Sequence, residues 1–181
     1  MANYLSIRTG ENLPELQSLI DTTEAEVSRR VGPLAPVDLI ESHDGGSVVV
    51  KVFKRPVISV ASVTESYGTL NHTLTEQPLS GVNGFDAYGY TVEKESGTFT
   101  RRSAGQSLPF AVGDRNITIA YRAGWSTDGT INTLDPGILG ALKELIRGRW
   151  SDAKRGPQQR PDTPPPSLDD LFSAWPDPGI Y

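Results

Sequence analysis

The sequence predicts an α+β fold. An N-terminal helix and a C-terminal helix pack as a helical body, a mostly antiparallel β module is inserted between them, and an extended proline-rich arm follows. Three observations carry this reading. Apolar residues recur at helical spacing over residues 12–31 and 135–153. Between residues 37 and 124 the period falls to two. Eighteen glycines and 14 prolines among 181 residues exclude a plain helical bundle and favour turns and strands. The apolar fraction of 36% announces a lean core. One domain is expected over residues 1–153, with the arm at 154–181.

The first helix is capped by Asn12, and Pro14 sits where a first turn tolerates proline. Leu16, Leu19, Ile20, Thr23, Val27 and Val31 form its apolar stripe, opposite Glu15, Asp21, Glu24, Glu26, Arg29 and Arg30. Gly32-Pro33 stops it. Residues 37–42 and 47–53 flank Asp44-Gly45-Gly46, which reads as a hairpin. Pro56–Glu65 is a third strand, with the proline at its start where no ladder donor is lost. Residues 66–86 are polar and glycine-rich and read as a long exposed loop with room for one weak strand. Residues 88–92 and 97–101 predict a second hairpin around Glu95-Ser96-Gly97, and 115–122 is the last alternating strand. Asp135 caps and Pro136 opens the second helix, whose stripe is Ile138, Leu139, Leu142, Leu145, Ile146 and Trp150.

Little in the chain points to catalysis. There is no cysteine, so thiol nucleophiles, disulfides and sulfur-based zinc sites are out. Two histidines, His43 and His72, are too few for a histidine-rich metal site. His43 reads as a solvated turn residue beside Asp44, and His72 as a residue of the polar loop. No Gly-x-Ser-x-Gly elbow and no phosphate-cradling glycine loop occurs. Asp169 and Asp170 are adjacent, so on a helix they point apart and suit a first helical turn better than a catalytic pair. No enzyme activity, cofactor or metal is expected. A net charge of −5 disfavours free binding to nucleic acid or an anionic membrane. No apolar run reaches membrane-span length, and residues 1–10 lack a signal-peptide core, so the expected location is the cytosol or a virion.

Charge is distributed unevenly near the end of the chain. Residues 143–160 carry net +4 and residues 161–181 net −4. Two readings stand side by side: a helix C-terminus complemented by cations and followed by a solvated tail, or a basic collar and an acidic arm with opposite partners. The arm holds seven of the prolines and reads as extended and partly polyproline. Within it Ser167 caps Leu168, Leu171, Phe172 and Trp175, spaced i, i+3, i+4, i+7. Two turns do not hold themselves together in water, so these four residues are the candidate partner-binding site, a short amphipathic helix for another chain's groove. The competing reading is that it folds back onto its own domain, from which the intervening prolines push it away.

In order along the chain, Leu19–Val27 with Arg30-Val31-Gly32, the basic-Pro-Val-Ile-Ser-Val run of Lys54–Thr64, the strand and aromatic exit Ile117–Trp125, and the Asp135-Pro136 helix ending in Arg149-Trp150 resemble the head-to-tail adaptor proteins of tailed bacteriophages, also called connector or head-completion proteins. The resemblance covers roughly residues 13–153 and does not extend to the arm or to 66–86. It implies a structural, non-enzymatic role in the virion neck. Adaptors of this kind form a ring, usually of twelve, beneath the portal protein; they extend the DNA channel and offer a platform to the stopper or tail-completion protein. It also implies DNA passage without specific binding, no membrane, assembly in the host cytoplasm, and a C-terminal segment that reaches the portal. Two other roles compete: a stopper or tail-completion protein of the same neck, and a β-rich receptor- or glycan-binding virion module. Trp125, Trp150 and Trp175 fall on a strand exit, a helix end and the arm, so no shared sugar platform is evident.

Overall fold

A computed structural model describes residues 13–77, 89–103, 106–154 and 167–172. The Asn12 cap, residues 78–86 of the expected loop, most of the proline-rich arm and Trp175 lie outside the described residues. The architecture is α+β, as expected; among the described residues it runs α1 (Leu13–Val31), eight strands, α2 (Pro136–Lys154) and a short α3 (Leu168–Phe172).

The two long helices share one apolar seam. Leu16, Val27 and Val31 of α1 meet Ile138, Ala141, Leu142, Leu145 and Ile146 of α2, with Leu19, Ile20, Leu139 and Trp150 half-buried at its margin. The stripes match those read from the sequence. The Asp135 carboxylate accepts the Gly137 and Ile138 amides at 2.9 and 3.1 Å, which satisfies two orphan donors of the first turn. Two cations of the expected basic collar are tied within the body: Arg149 reaches Glu26 at 2.5 Å and Thr23 at 3.1 Å, and Lys154 reaches Glu15 at 2.9 Å, while Arg155 and Arg160 lie outside the described residues.

The strands are β1 (Val37–His43), β2 (Val49–Lys51), β3 (Val57–Tyr67), β4 (Leu70–Glu76), β5 (Gly89–Glu93), β6 (Thr98–Ser103), β7 (Gln106–Ser107) and β8 (Ile117–Ala123). They form one sheet in the order β1-β8-β3-β4-β5-β6-β2, with β7 added to β6. Among the described residues every pairing is antiparallel except a two-residue parallel contact of β4 with β5. The sheet curls. Phe53, just past β2 at one edge, donates its amide to Glu41 of β1 at the other edge, 3.0 Å away. Its interior is packed by Val63, Leu74, Tyr90, Val92, Phe99, Ile117, Ile119 and Tyr121. The weak strand allowed within 66–86 is a full partner, β4, and the β5–β6 hairpin turns where expected, with Gly97 at φ +65°.

The first expected hairpin does not form. β1 pairs with β8 and β2 with β6, so the two segments end at opposite edges of the sheet. Of the glycines that suggested a turn, Gly45 serves a close approach, and Gly46 sits at φ +88°. A Cβ on Gly45 would stand 1.6 Å from the Ala111 carbonyl oxygen. Helical body and sheet are joined at Gly32 and Trp125. Gly32 leaves α1 at φ +100°, and a Cβ there would stand 2.2 Å from the Arg55 carbonyl oxygen. The Trp125 indole donates to the Val31 carbonyl at 2.8 Å and its amide to Pro33 at 3.0 Å.

Candidate functional site

Neither histidine lies where the sequence suggested. His43 ends β1, with its side chain 11% exposed; it stacks on Phe53 at 5.4 Å, and its Nε2 lies 3.0 Å from Glu41. It is a packed residue, not a solvated turn histidine, because curling brings Phe53 over it. Burial pushes the Glu41 carboxyl up, but hydrogen bonds from His43, the Tyr121 hydroxyl and the Phe53 amide outweigh this and hold it below the usual value. The same contact, with burial first, pushes the Tyr121 phenol far up. His72 is on β4, opposite Glu65 in register and edge-on to Tyr67 at 5.6 Å. Among the described residues, no group of three or more His, Asp or Glu could hold a metal ion, and no helix is long and apolar enough to cross a membrane.

The arm's predicted helix is present as α3. Ser167 and Asp170 form a capping box: the Asp170 amide donates to the Ser167 hydroxyl at 3.1 Å, and the Ser167 amide donates to Asp170 at 3.1 Å. Those bonds from Ser167 hold the Asp170 carboxyl down. Asp169 turns the other way, 3.6 Å from Arg30 of α1. Leu171 is half-buried against the α1–α2 seam. The side chains of Leu168 and Phe172, like all of Trp175, lie outside the described residues.

Two surface features stand out. One is the loop between β7 and β8. It carries Val112, 89% exposed, yet its backbone is held on all sides. Gly45 donates to the Gly113 carbonyl and to the Asn116 side chain, each at 2.9 Å, and Gly46 donates to Phe110 at 3.1 Å. Asn116 donates to the Ala111 carbonyl at 2.9 Å, and the Arg115 amide donates to Asp44 at 2.8 Å. That Arg115 amide, followed by Asp114 and Arg115 itself, keeps the Asp44 carboxyl low. The Ala111 amide donates to Glu65, which is 0% exposed and paired at 3.2 Å with Arg101, 4% exposed. A fully buried ion pair costs desolvation; here it fixes the residue beside Val112.

The other feature is a groove of about 210 Å³ where the last turn of α1 meets the start of β1. It is lined by Pro33, Val37 and Leu39 together with Ser28, Arg29 and Lys54. The lining is mostly apolar, and Arg29 and Lys54 bring two cations to it.

Solved structures share this fold. A chain from the neck of an empty gene transfer agent particle computed with C6 symmetry matches over 96% of this chain and 85% of its own, at 15% identity and a TM-score of 0.57. One from the neck of the native particle, computed with C12 symmetry, matches over 89% and 81%, at 15% identity and 0.53. A chain of the native gene transfer agent virion matches over 96% and 87%, at 13% identity and 0.56. The likeness is one of fold. No protein-family model and no curated protein matches the sequence.

Sequence reasoning missed both surface features. The groove joins residues from three segments and has no local pattern. The loop did leave a trace: Glu65 continues the inward parity of Val63 on β3, where a carboxylate must find a partner or an amide.

Proposed function

We propose that this chain is a structural protein of the neck of a tailed-phage-like particle, an adaptor that forms a ring between portal and tail. The observation that carries this reading is the shared fold over 96% of the chain with a neck component. Neck structures computed with C6 and C12 symmetry support a closed ring of like copies. In this reading the ring extends the DNA channel and offers a platform to the stopper or tail-completion protein. A mildly acidic ring repels phosphates, so DNA passes without being gripped.

The arm docks on the portal through Leu168, Leu171, Phe172 and Trp175. A five-residue helix seated by Leu171 and one ion pair to an exposed aspartate is weakly held, so it exchanges readily for a partner's groove. Many arms on one ring add up through effective concentration.

The test is electron microscopy of the purified chain mixed with portal-bearing heads. The expected result is a ring coaxial with the portal, lost or weakened when Phe172 and Trp175 are both replaced by alanine. A single copy per particle, or a place on a fibre or capsid face, refutes the adaptor reading.

A further inference from the structure

We propose that the Val112 loop of one copy seats in the apolar groove beside α1 of the next, a head-to-tail contact that closes the ring. The inference deepens the ring reading and rests on it.

The two surfaces complement each other. The loop presents an almost fully exposed valine on a backbone pinned by Gly45, Asn116 and the buried Glu65. Such a residue needs no ordering on contact, which lowers the cost of binding. Its charged neighbours are Asp44 and Asp114, tempered by Arg115, so its flank is net negative. The groove offers the apolar residues Pro33, Val37 and Leu39 together with the cations Arg29 and Lys54. Apolar knob meets apolar lining, and acidic flank meets the two cations of the groove.

A second copy is the occupant for a geometric reason. The groove lies at the Val37 end of β1 and the loop is pinned at its His43 end, through Asp44 and Gly45. Four residues of strand, roughly 13 Å, run from Leu39 in the groove to His43 at the loop, and the loop is pinned there, so one chain does not insert its own loop into its own groove. Unlike surfaces at opposite ends of a subunit form a heterologous contact, the kind that generates rings.

The absence of cysteine makes the test clean. Full-length protein carrying Val112→Cys and Val37→Cys is oxidised at concentrations spanning the onset of association, and sedimentation of the unsubstituted chain is followed in parallel. The expected result is a ladder of covalent oligomers from the double variant and no species beyond a dimer from either single one. Mixing the two single variants gives the heterologous dimer. Val112→Asp weakens association roughly tenfold or more with an unchanged melting temperature, and Lys54→Glu is rescued by Asp114→Lys. If the chain forms rings but the ladder is missing, this contact is wrong and the ring reading stands. A chain that stays monomeric at every concentration without cross-links refutes both. A cross-link between Val37→Cys and Trp175→Cys within one chain gives the groove to the arm and overturns the proposal.

Discussion

Between α1 and α2 the interior is apolar and the charges stay at the rim, where Arg149 meets Glu26 and Lys154 meets Glu15. Inside the curled sheet a glutamate and an arginine are buried among Phe99, Ile117 and Val63. The two regions answer different demands. A helix pair needs only a matching stripe, because every backbone donor in a helix interior is already met within its own turn. The 108–116 loop has no ladder, so its amides need partners from elsewhere, and Glu65 reaches in to supply one. The buried ion pair positions a loop; the apolar seam holds two helices together.

That contrast is open to mutation, beginning with the buried pair. Arg101→Met leaves the Glu65 carboxylate buried without its cation and is expected to cost about 3–5 kcal/mol, read by thermal unfolding. Adding Glu65→Leu restores most of the melting temperature but orphans the Ala111 amide, so amide exchange at 110–113 accelerates. If Arg101→Met costs less than about 1 kcal/mol, the sheet interior does not differ from the seam in the way described. Next comes the seam itself. Leu142→Ala is expected to cost about 3 kcal/mol through transfer and cavity terms, measured by denaturant titration, while amide exchange in the 108–116 loop stays unchanged. A loop that loosens as well would mean the two regions unfold as one.

Asp135→Ala removes the cap of α2 and is expected to lower stability by about 1 kcal/mol. Asp135→Asn recovers most of it, since the amide oxygen still accepts. The smallest effect concerns pH. Glu41 is held below the usual carboxylate value, so its folded form contributes stability that is present above the ordinary value of 4.5 and is lost as pH falls through the lower folded value. Glu41→Gln is therefore expected to flatten the acid limb of the stability curve, with little change in its slope near neutrality. An acid limb as steep as the parent's would show that another carboxylate carries it.

The helical body was legible almost residue by residue. Leu16, Thr23, Val27 and Val31 repeat on one face, and Asp135-Pro136 announces the start of α2. Most strands were legible too, since alternation marks Val57–Tyr67 and Ile117–Ala123 wherever they pair. The pairing was not. Asp44-Gly45-Gly46 is a strong turn pattern, yet Gly45 lets Ala111 approach, and β1 belongs to β8, over seventy residues away. The candidate arm was visible as a spacing of Leu168, Leu171, Phe172 and Trp175, while the groove and the Val112 knob were not visible at all.

The sequence by itself determined the two long helices and most of the strands, which faces are apolar, where α2 begins, and that thiol chemistry has no place here. These follow from neighbours within a few residues, whose spacing and caps act before any long-range contact forms. Only the tertiary structure decided that β1 and β2 part to opposite edges, that Glu65 meets Arg101, that His43 packs under Phe53, and that Pro33, Val37 and Lys54 line one groove. Those facts depend on how the sheet curls. Curling brings residues together by their place in the strand order rather than in the chain, and no local pattern records that place.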